Sequence, residues 1–251
     1  MLYDSDAMAE GRSDARCPIQ SFVIFDTETT GLPKQDPKIT ELCFLGVGRK
    51  YLEDAKVGVD PRVTNQLLLC VDPCKHIEPE AASITGLDNE TLADQKPFDK
   101  DMVQLMSSFL GRLPKPVCLV AHNGDRFDYP LLVSELRQVS SELQDDLLCV
   151  DSLTAFKTLE NQESDREHRP ASNRDDGQGD AGRLSSTSIP RKPSYKLEEV
   201  YRRCFGEAPP ICHTAADDCL TLLKVVKAFS PGFLDYADKE SKCFRNVHPM
   251  Y

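Results

Sequence analysis

Two short stretches, SFVIFD at 21–26 and VCLVA at 117–121, are apolar at nearly every position. A strand with one face in water alternates apolar and polar side chains, so a continuous run needs cover on both faces. Both stretches therefore predict central strands of a sheet enclosed by helices. LCFLGVG at 42–48 and LLLCV at 67–71 read as the next strands of a meander, with a polar connection at 49–66 between them. Helical patterning over 80–86, 101–112, 128–139 and 152–160 alternates with VCLVA and with a strand at 147–150. Ser194 caps a further helix carrying Leu197, Val200, Tyr201 and Cys204 on one face, and a final long helix covers 215–229. This succession predicts an α/β fold, a mixed central β-sheet flanked by helices.

The 251 residues suit one domain, expected at 20–245, between a flexible N-terminal tail at 1–19 and a C-terminal tail at 246–251. Segment 161–193 differs from the rest: six acids, six Lys or Arg and no aromatic residue leave too little apolar surface to offset ordering entropy. It reads as a mobile surface loop inside the domain, and its arginines are candidates for capturing a polyanion. No apolar run reaches the roughly 20 residues that cross a bilayer. The acidic N-terminus lacks the apolar core of a secretory signal. A soluble protein of the nucleus or cytoplasm is expected, neither secreted nor membrane-bound. The ten cysteines form no C-x-x-C pair, and four of them (Cys43, Cys70, Cys118, Cys149) lie in apolar runs, which fits reduced, packed thiols.

The net charge of −11 argues against broad, sequence-blind binding of nucleic acid. It leaves room for an enzyme that concentrates acids around metal ions and keeps its basic groups along a groove. The acids are distributed in that way. Asp26 and Glu28 lie two apart at the end of the first strand, so both carboxylates point to one side. Asp128 is in line with Leu132, Leu136 and Val139, which sets an acid on an apolar stripe, where a charge needs a partner. Asp218 heads Leu222, Val225 and Phe229 on the last long helix, whereas its neighbour Asp217 heads Thr221 and Lys224 and is expected to face water. His213 can share a site with Asp218 only from a place at or before the first helical turn, because five helical steps would turn it away. Four acids gathered from separate elements repel unless cations neutralise them. A cysteine-free carboxylate set suits Mg²⁺ or Mn²⁺. Two such ions clamp the attacking and leaving oxygens of a phosphoryl transfer, and a nearby histidine can take the proton of the attacking water.

Three ordered motifs, FDTETTGLP at 25–33, HNGDRFD at 122–128 and HTAADD at 213–218, resemble those of the DEDDh superfamily of 3′→5′ exonucleases. SITGL at 83–87, AHNGDRFDYPLL at 121–132 and SYKLEEVYRRCFGEAPP at 194–210 are similar to the three-prime repair exonucleases of animals. The resemblance implies a ribonuclease H-like fold in which Asp26, Glu28, Asp128 and Asp218 hold two Mg²⁺ ions and His213 is the general base. It implies release of nucleoside 5′-monophosphates from single-stranded or frayed DNA 3′ ends, and a homodimer. Glu28, Thr29, Leu32, Ile84, Phe127 and His213 would meet the terminal nucleotides, with Leu32 and Ile84 wedged against the bases. Phe127 stands where mammalian members usually carry Tyr, and Asp217 where Gly is usual. The long form of the family carries a proline-rich segment and a C-terminal membrane-anchoring extension; with only Pro61 in 51–66 and an end at Tyr251, this sequence resembles the short, soluble form. Two other readings are an RNA-trimming or proofreading exonuclease on the same scaffold, and a non-catalytic nucleic-acid-binding module.

Overall fold

The computed structural model describes residues 17–54, 59–167, 193–210 and 213–251. The expected tail at 1–19 and the loop at 161–193 therefore fall largely outside the described residues.

The first apolar run becomes β1 (Ser21–Thr29), followed by β2 (Ile39–Gly48), α1 (Arg49–Asp54), β3 (Asn65–Cys70), α2 (Pro79–Thr85), α3 (Lys100–Gly111) and β4 (Val117–Ala121). Then come α4 (Asp128–Gln138), β5 (Leu148–Asp151), α5 (Ser152–Glu167), α6 (Leu197–Phe205), α7 (Ala215–Ala228), α8 (Gly232–Glu240) and β6 (Lys242–Cys243). The six strands form one sheet in the order β3-β2-β1-β4-β5-β6. β1 runs antiparallel to β2 and parallel to β4, β4 runs parallel to β5, and β6 closes the far edge antiparallel to β5. The mixed sheet expected from the alternation is thus present, and both SFVIFD and VCLVA lie at its centre.

Covering both faces gives two cores. Val23 and Phe25 of β1 pack with Leu42 and Phe44 against α3 and α4, whereas Phe22 and Ile24 pack with Cys43 and Leu45 against α7 and α8. Since successive strand side chains alternate in direction, even-numbered β1 residues look toward α7 and odd-numbered ones toward α4. This parity decides where each functional side chain of β1 points.

Four local expectations are corrected. The connection at 49–66 contains α1, anchored through buried Leu52 and an Arg49–Asp238 ion pair of 2.9 Å. The helix at 197 is capped by Lys196 backbone and not by Ser194, whose carbonyl instead accepts from Arg203. The helix expected at 152–160 continues to Glu167, into the segment read as loop. The long helix at 215 is followed by α8 and β6, which the sequence reading did not foresee. At the C-terminal end, Met250 N–H donates to Pro130 O at 3.0 Å and Tyr251 Oη donates to Pro37 O at 3.0 Å, so these residues lie against α4 and the start of β2.

Candidate active site

β1 ends at the site. Asp26 and Glu28 have the parity that faces α7, and Thr27 faces α4. One carboxylate oxygen from each of Asp26, Glu28 and Asp218 lies within 4.8 Å of the others. Asp218 arrives on the first turn of α7, whose start is organised by the N-cap Thr214, accepting the Asp217 N–H at 3.1 Å. Asp128 comes from the opposite face as the first residue of α4. It is buried, and its Oδ1 accepts the Thr27 hydroxyl at 2.8 Å. Asp128 is also the neighbouring charge that weighs most on Asp26. Asp26 therefore stands between two groupings: Glu28 and Asp218 on one side, Asp128 on the other.

The electrostatics are those of a site built for cations. Burial, then Asp128, Asp218 and Glu28, hold the Asp26 carboxyl well above its usual range. Burial and the charges of Asp218, Glu41 and Asp128 push Glu28 up to about 8. Burial pushes Asp128 up to about 7 even though the Thr27 hydrogen bond opposes it. Asp218 is raised by burial and drawn back by the backbone N–H and imidazole of His213. Carboxylates this close repel by roughly 3–4 kcal/mol per pair at an effective dielectric near 20. They cannot all stay ionised unless metal ions offset the charge; otherwise some take up protons. An all-oxygen donor set matches Mg²⁺ or Mn²⁺ chemistry.

His213 directly precedes Thr214 and so lies before the first turn, as its spacing from Asp218 requires. It is exposed and its φ is +83°, a backbone conformation that favours glycine. Asp217 corrects the expectation that it simply faces water. Both Asp217 and Asp218 are half-buried, and Thr221, in the stripe of Asp217, is buried. What separates the two acids is engagement: Asp217 accepts the Thr214 hydroxyl at 2.7 Å, while Asp218 joins Asp26 and Glu28.

Thr29 ends β1, where its hydroxyl donates to Gly31 O at 3.0 Å. Leu32 and Ile84 are 67% and 52% exposed, so their apolar side chains are open to solvent. Their segments are joined by the Glu78 N–H donating to Thr30 O at 2.9 Å. Phe127 is half-buried against the α4-side core, at the N-cap position of α4.

Several supporting residues escaped the sequence reading. Asp151, buried at the end of β5, accepts the backbone N–H groups of Asn123 and Leu153 at 3.1 and 2.9 Å, which fixes the turn leading to Asp128. His122 Nε2 is 2.8 Å from the Tyr195 carbonyl and so carries the proton, leaving Nδ1 to accept from Ser152 Oγ at 3.0 Å. A Cβ on Gly124 would come within 2.6 Å of the Ala121 Cβ, which requires glycine in this turn. Glu41, on β2 opposite Glu28, is buried and bonded to α7. An acid within the otherwise apolar TELCFLGVG was the available signal for it.

A sheet of this order carrying four acids at the ends of β1, α4 and α7 is the ribonuclease H-like framework of a 3′→5′ exonuclease. The Exonuclease family model matches residues 23–226. The chain is 43% identical over 245 residues to three-prime repair exonuclease 1 of Bos taurus, covering 93% of this chain and 71% of that protein. It is 35% identical over 239 residues to three prime repair exonuclease 2 of Mus musculus, covering 92% and 93% respectively. Among solved structures, E. coli exonuclease I in complex with a dA16 oligonucleotide aligns with a TM-score of 0.60 at 19% identity, covering 86% of this chain and 42% of that one, a likeness of fold. The protein belongs to the three-prime repair exonuclease family. It is a 3′→5′ exonuclease, a hydrolase, and among the described residues no helix is long and apolar enough to cross a membrane.

Proposed function

We propose that the protein removes nucleotides from the 3′ ends of single-stranded or frayed DNA and releases nucleoside 5′-monophosphates. The observation that carries this reading is the convergence of Asp26, Glu28 and Asp218 within 4.8 Å, with Asp128 on the other side of Asp26. Asp26, Glu28 and Asp218 would hold one Mg²⁺ and Asp26 with Asp128 a second, Mn²⁺ being an alternative. Bound there, the ions supply charge stabilisation to the attacking and leaving oxygens of the phosphodiester. His213, solvent-accessible and beside Asp218, takes the proton of the attacking water as general base. Leu32 and Ile84 offer apolar surface to the terminal bases, the backbone of Glu28 and Thr29 approaches the last nucleotide, and Phe127 flanks it without a hydroxyl.

The DNA substrate is favoured by the likeness to the bovine and murine repair exonucleases. We also infer a homodimer, supported by β3 standing at the open edge of the sheet with Leu68 exposed. Residence in the nucleus or cytoplasm fits nine described cysteines that are all free thiols. The test is product analysis on matched DNA and RNA oligonucleotides with and without Mg²⁺. Metal-dependent release of 5′-monophosphates from DNA 3′ ends is expected. Faster degradation of RNA would overturn the substrate assignment, and binding without cleavage would make the chain a non-catalytic module.

A further inference from the structure

The site contains a fifth acid, Glu41, whose burial needs a reason. Glu41 is 8% exposed, is the register partner of Glu28 across β1 and β2, and adds its charge to an already crowded set of carboxylates. Among the described residues it does not belong to the group that could share a metal ion. Both of its oxygens are otherwise engaged. Oε2 accepts the Ala215 backbone N–H at 2.8 Å, a contact between residues 174 positions apart, and Oε1 accepts the Cys70 thiol at 3.8 Å. Ala215 is the first residue of α7. The first N–H groups of a helix have no partner within it, and an anion there is favoured both as an acceptor and by the helix dipole. Thr214 satisfies the Asp217 N–H, and Glu41 satisfies the Ala215 N–H from a different element.

We propose that Glu41 is a positioning residue: its buried carboxylate fixes the start of α7, and with it Asp218 and His213, against the acids of β1. His213 and Asp218 lie two residues before and three after the anchored N–H, so a shift of this turn moves both together. The inference rests on reading Asp218 as a metal ligand and His213 as the base. The far end of α7 has its own tether, Lys227 Nζ donating to Leu52 O at 2.7 Å, which supplies an internal control.

The experiment compares Glu41→Ala, Glu41→Gln and Lys227→Met with the parent. It measures kcat and KM on single-stranded DNA, Mn²⁺ affinity by calorimetry without DNA, and thermal unfolding. Displacement of reacting groups by about 1 Å costs on the order of 100-fold in rate. Loss of an outer-sphere partner weakens metal binding by about 10- to 100-fold. Glu41→Ala should show both losses, with KM little changed. Glu41→Gln, which keeps an oxygen acceptor for Ala215, should recover most of the activity and affinity. Lys227→Met should lower thermal stability and leave kcat and Mn²⁺ affinity near the parent values. If Glu41→Ala does not fold, Glu41→Asp, with the charge kept and the reach shortened, carries the same expected losses.

A Gln variant as impaired as Ala would overturn the positioning role, because charge and not the bond would then matter. Parent-like kcat and Mn²⁺ affinity in Glu41→Ala would also overturn it. So would an equal kcat loss in Lys227→Met, which would reduce Glu41 to general support of the helix. A parent chain that leaves DNA intact would remove the substrate reading. The Mn²⁺ titrations would still decide the case of Glu41.

Discussion

The two helices that bring acids to β1 do so under different degrees of constraint. Asp128 begins α4 at the end of a turn clamped by Asp151 and packed too tightly at Gly124 for any other residue. Tyr129, beside it, is fully buried, donating to Val150 O and accepting from Ala121 N, each at 2.8 Å. Asp218 begins α7 from a half-buried position, preceded by an exposed His213 with positive φ. The difference matches two chemical tasks. A metal platform gains from being fixed before substrate arrives, since electrostatic groups then need no reorganisation during the reaction. A general base must give its proton back to solvent each turnover, and so must remain open to water. On the proposed roles, the α4 side is the rigid platform and the α7 side the exchanging end.

The comparison breaks first at the acids themselves. Asp128→Asn and Asp218→Asn should each lower turnover by roughly 10³-fold or more, about 4 kcal/mol of barrier. If the platform is as rigid as its contacts imply, Asp128→Asn should do so with unfolding close to that of the parent, since Asn keeps an acceptor for Thr27. Single-turnover cleavage at saturating Mg²⁺ and thermal melts measure the two effects. Retained turnover in either variant would remove that acid from the site.

His213→Ala addresses the exchanging end. It should cost about 10²–10⁴ in kcat while Mn²⁺ affinity and KM hold. A variant that lost metal binding as well would mean that base and platform are one unit and that the division into two ends is wrong.

A smaller effect should appear in the metal-free protein. Burial and neighbouring acids raise Asp26 and Glu28, the latter to about 8, above unfolded values of about 4. The folded state therefore binds more protons than the unfolded one. The stability these protons confer is present at low pH and is lost as pH rises toward the folded value near 8. Without metal, the melting temperature should fall between about pH 5 and 8. Saturating Mg²⁺ should remove the slope, because the ion then offsets the charge that the protons had neutralised. A metal-free melting temperature that rose across this window would contradict the assigned shifts.

The sheet and its cover were legible in the sequence because SFVIFD and VCLVA left no polar face for water to occupy. The acids of the candidate site were legible because D-x-E parity and the stripes of Asp128 and Asp218 depend on local geometry. α8 was missed because its buried residues Phe233, Leu234 and Ala237 fill barely more than one turn and leave little periodicity to read. The N-terminal cap of α6 was misassigned because Ser194 carries the chemistry of a cap without the backbone position. The roles of Glu41 and Asp151 could not be read for a different reason. Each accepts a backbone N–H from a turn or helix distant in sequence, and backbone amides carry no residue code. In Glu41 the partner is 174 residues away, so only the assembled sheet and helix reveal it.

The smallest effect is expected at Asp217, and it tests the comparison most finely because Asp217 adjoins Asp218 on the same turn. Removing one negative charge at either position changes the local field by a similar amount, so a purely electrostatic view predicts similar consequences. The contacts predict otherwise. Asp217 is held by Thr214, whose hydroxyl donates to its Oδ2 at 2.7 Å and accepts its N–H at 3.1 Å, a reciprocal arrangement that stabilises the helix start. Asp217→Asn preserves the N–H and a carbonyl oxygen for that exchange. Turnover should change by a few-fold at most, on the order of 1 kcal/mol or less, and less charge beside the phosphates favours a small gain. The check is kcat for both variants across a Mg²⁺ series. A Mg²⁺ requirement raised as strongly in Asp217→Asn as in Asp218→Asn would show that the start of α7 adapts to its ligands. The contrast with α4 would then hold for Asp218, the proposed metal ligand, as well as for His213.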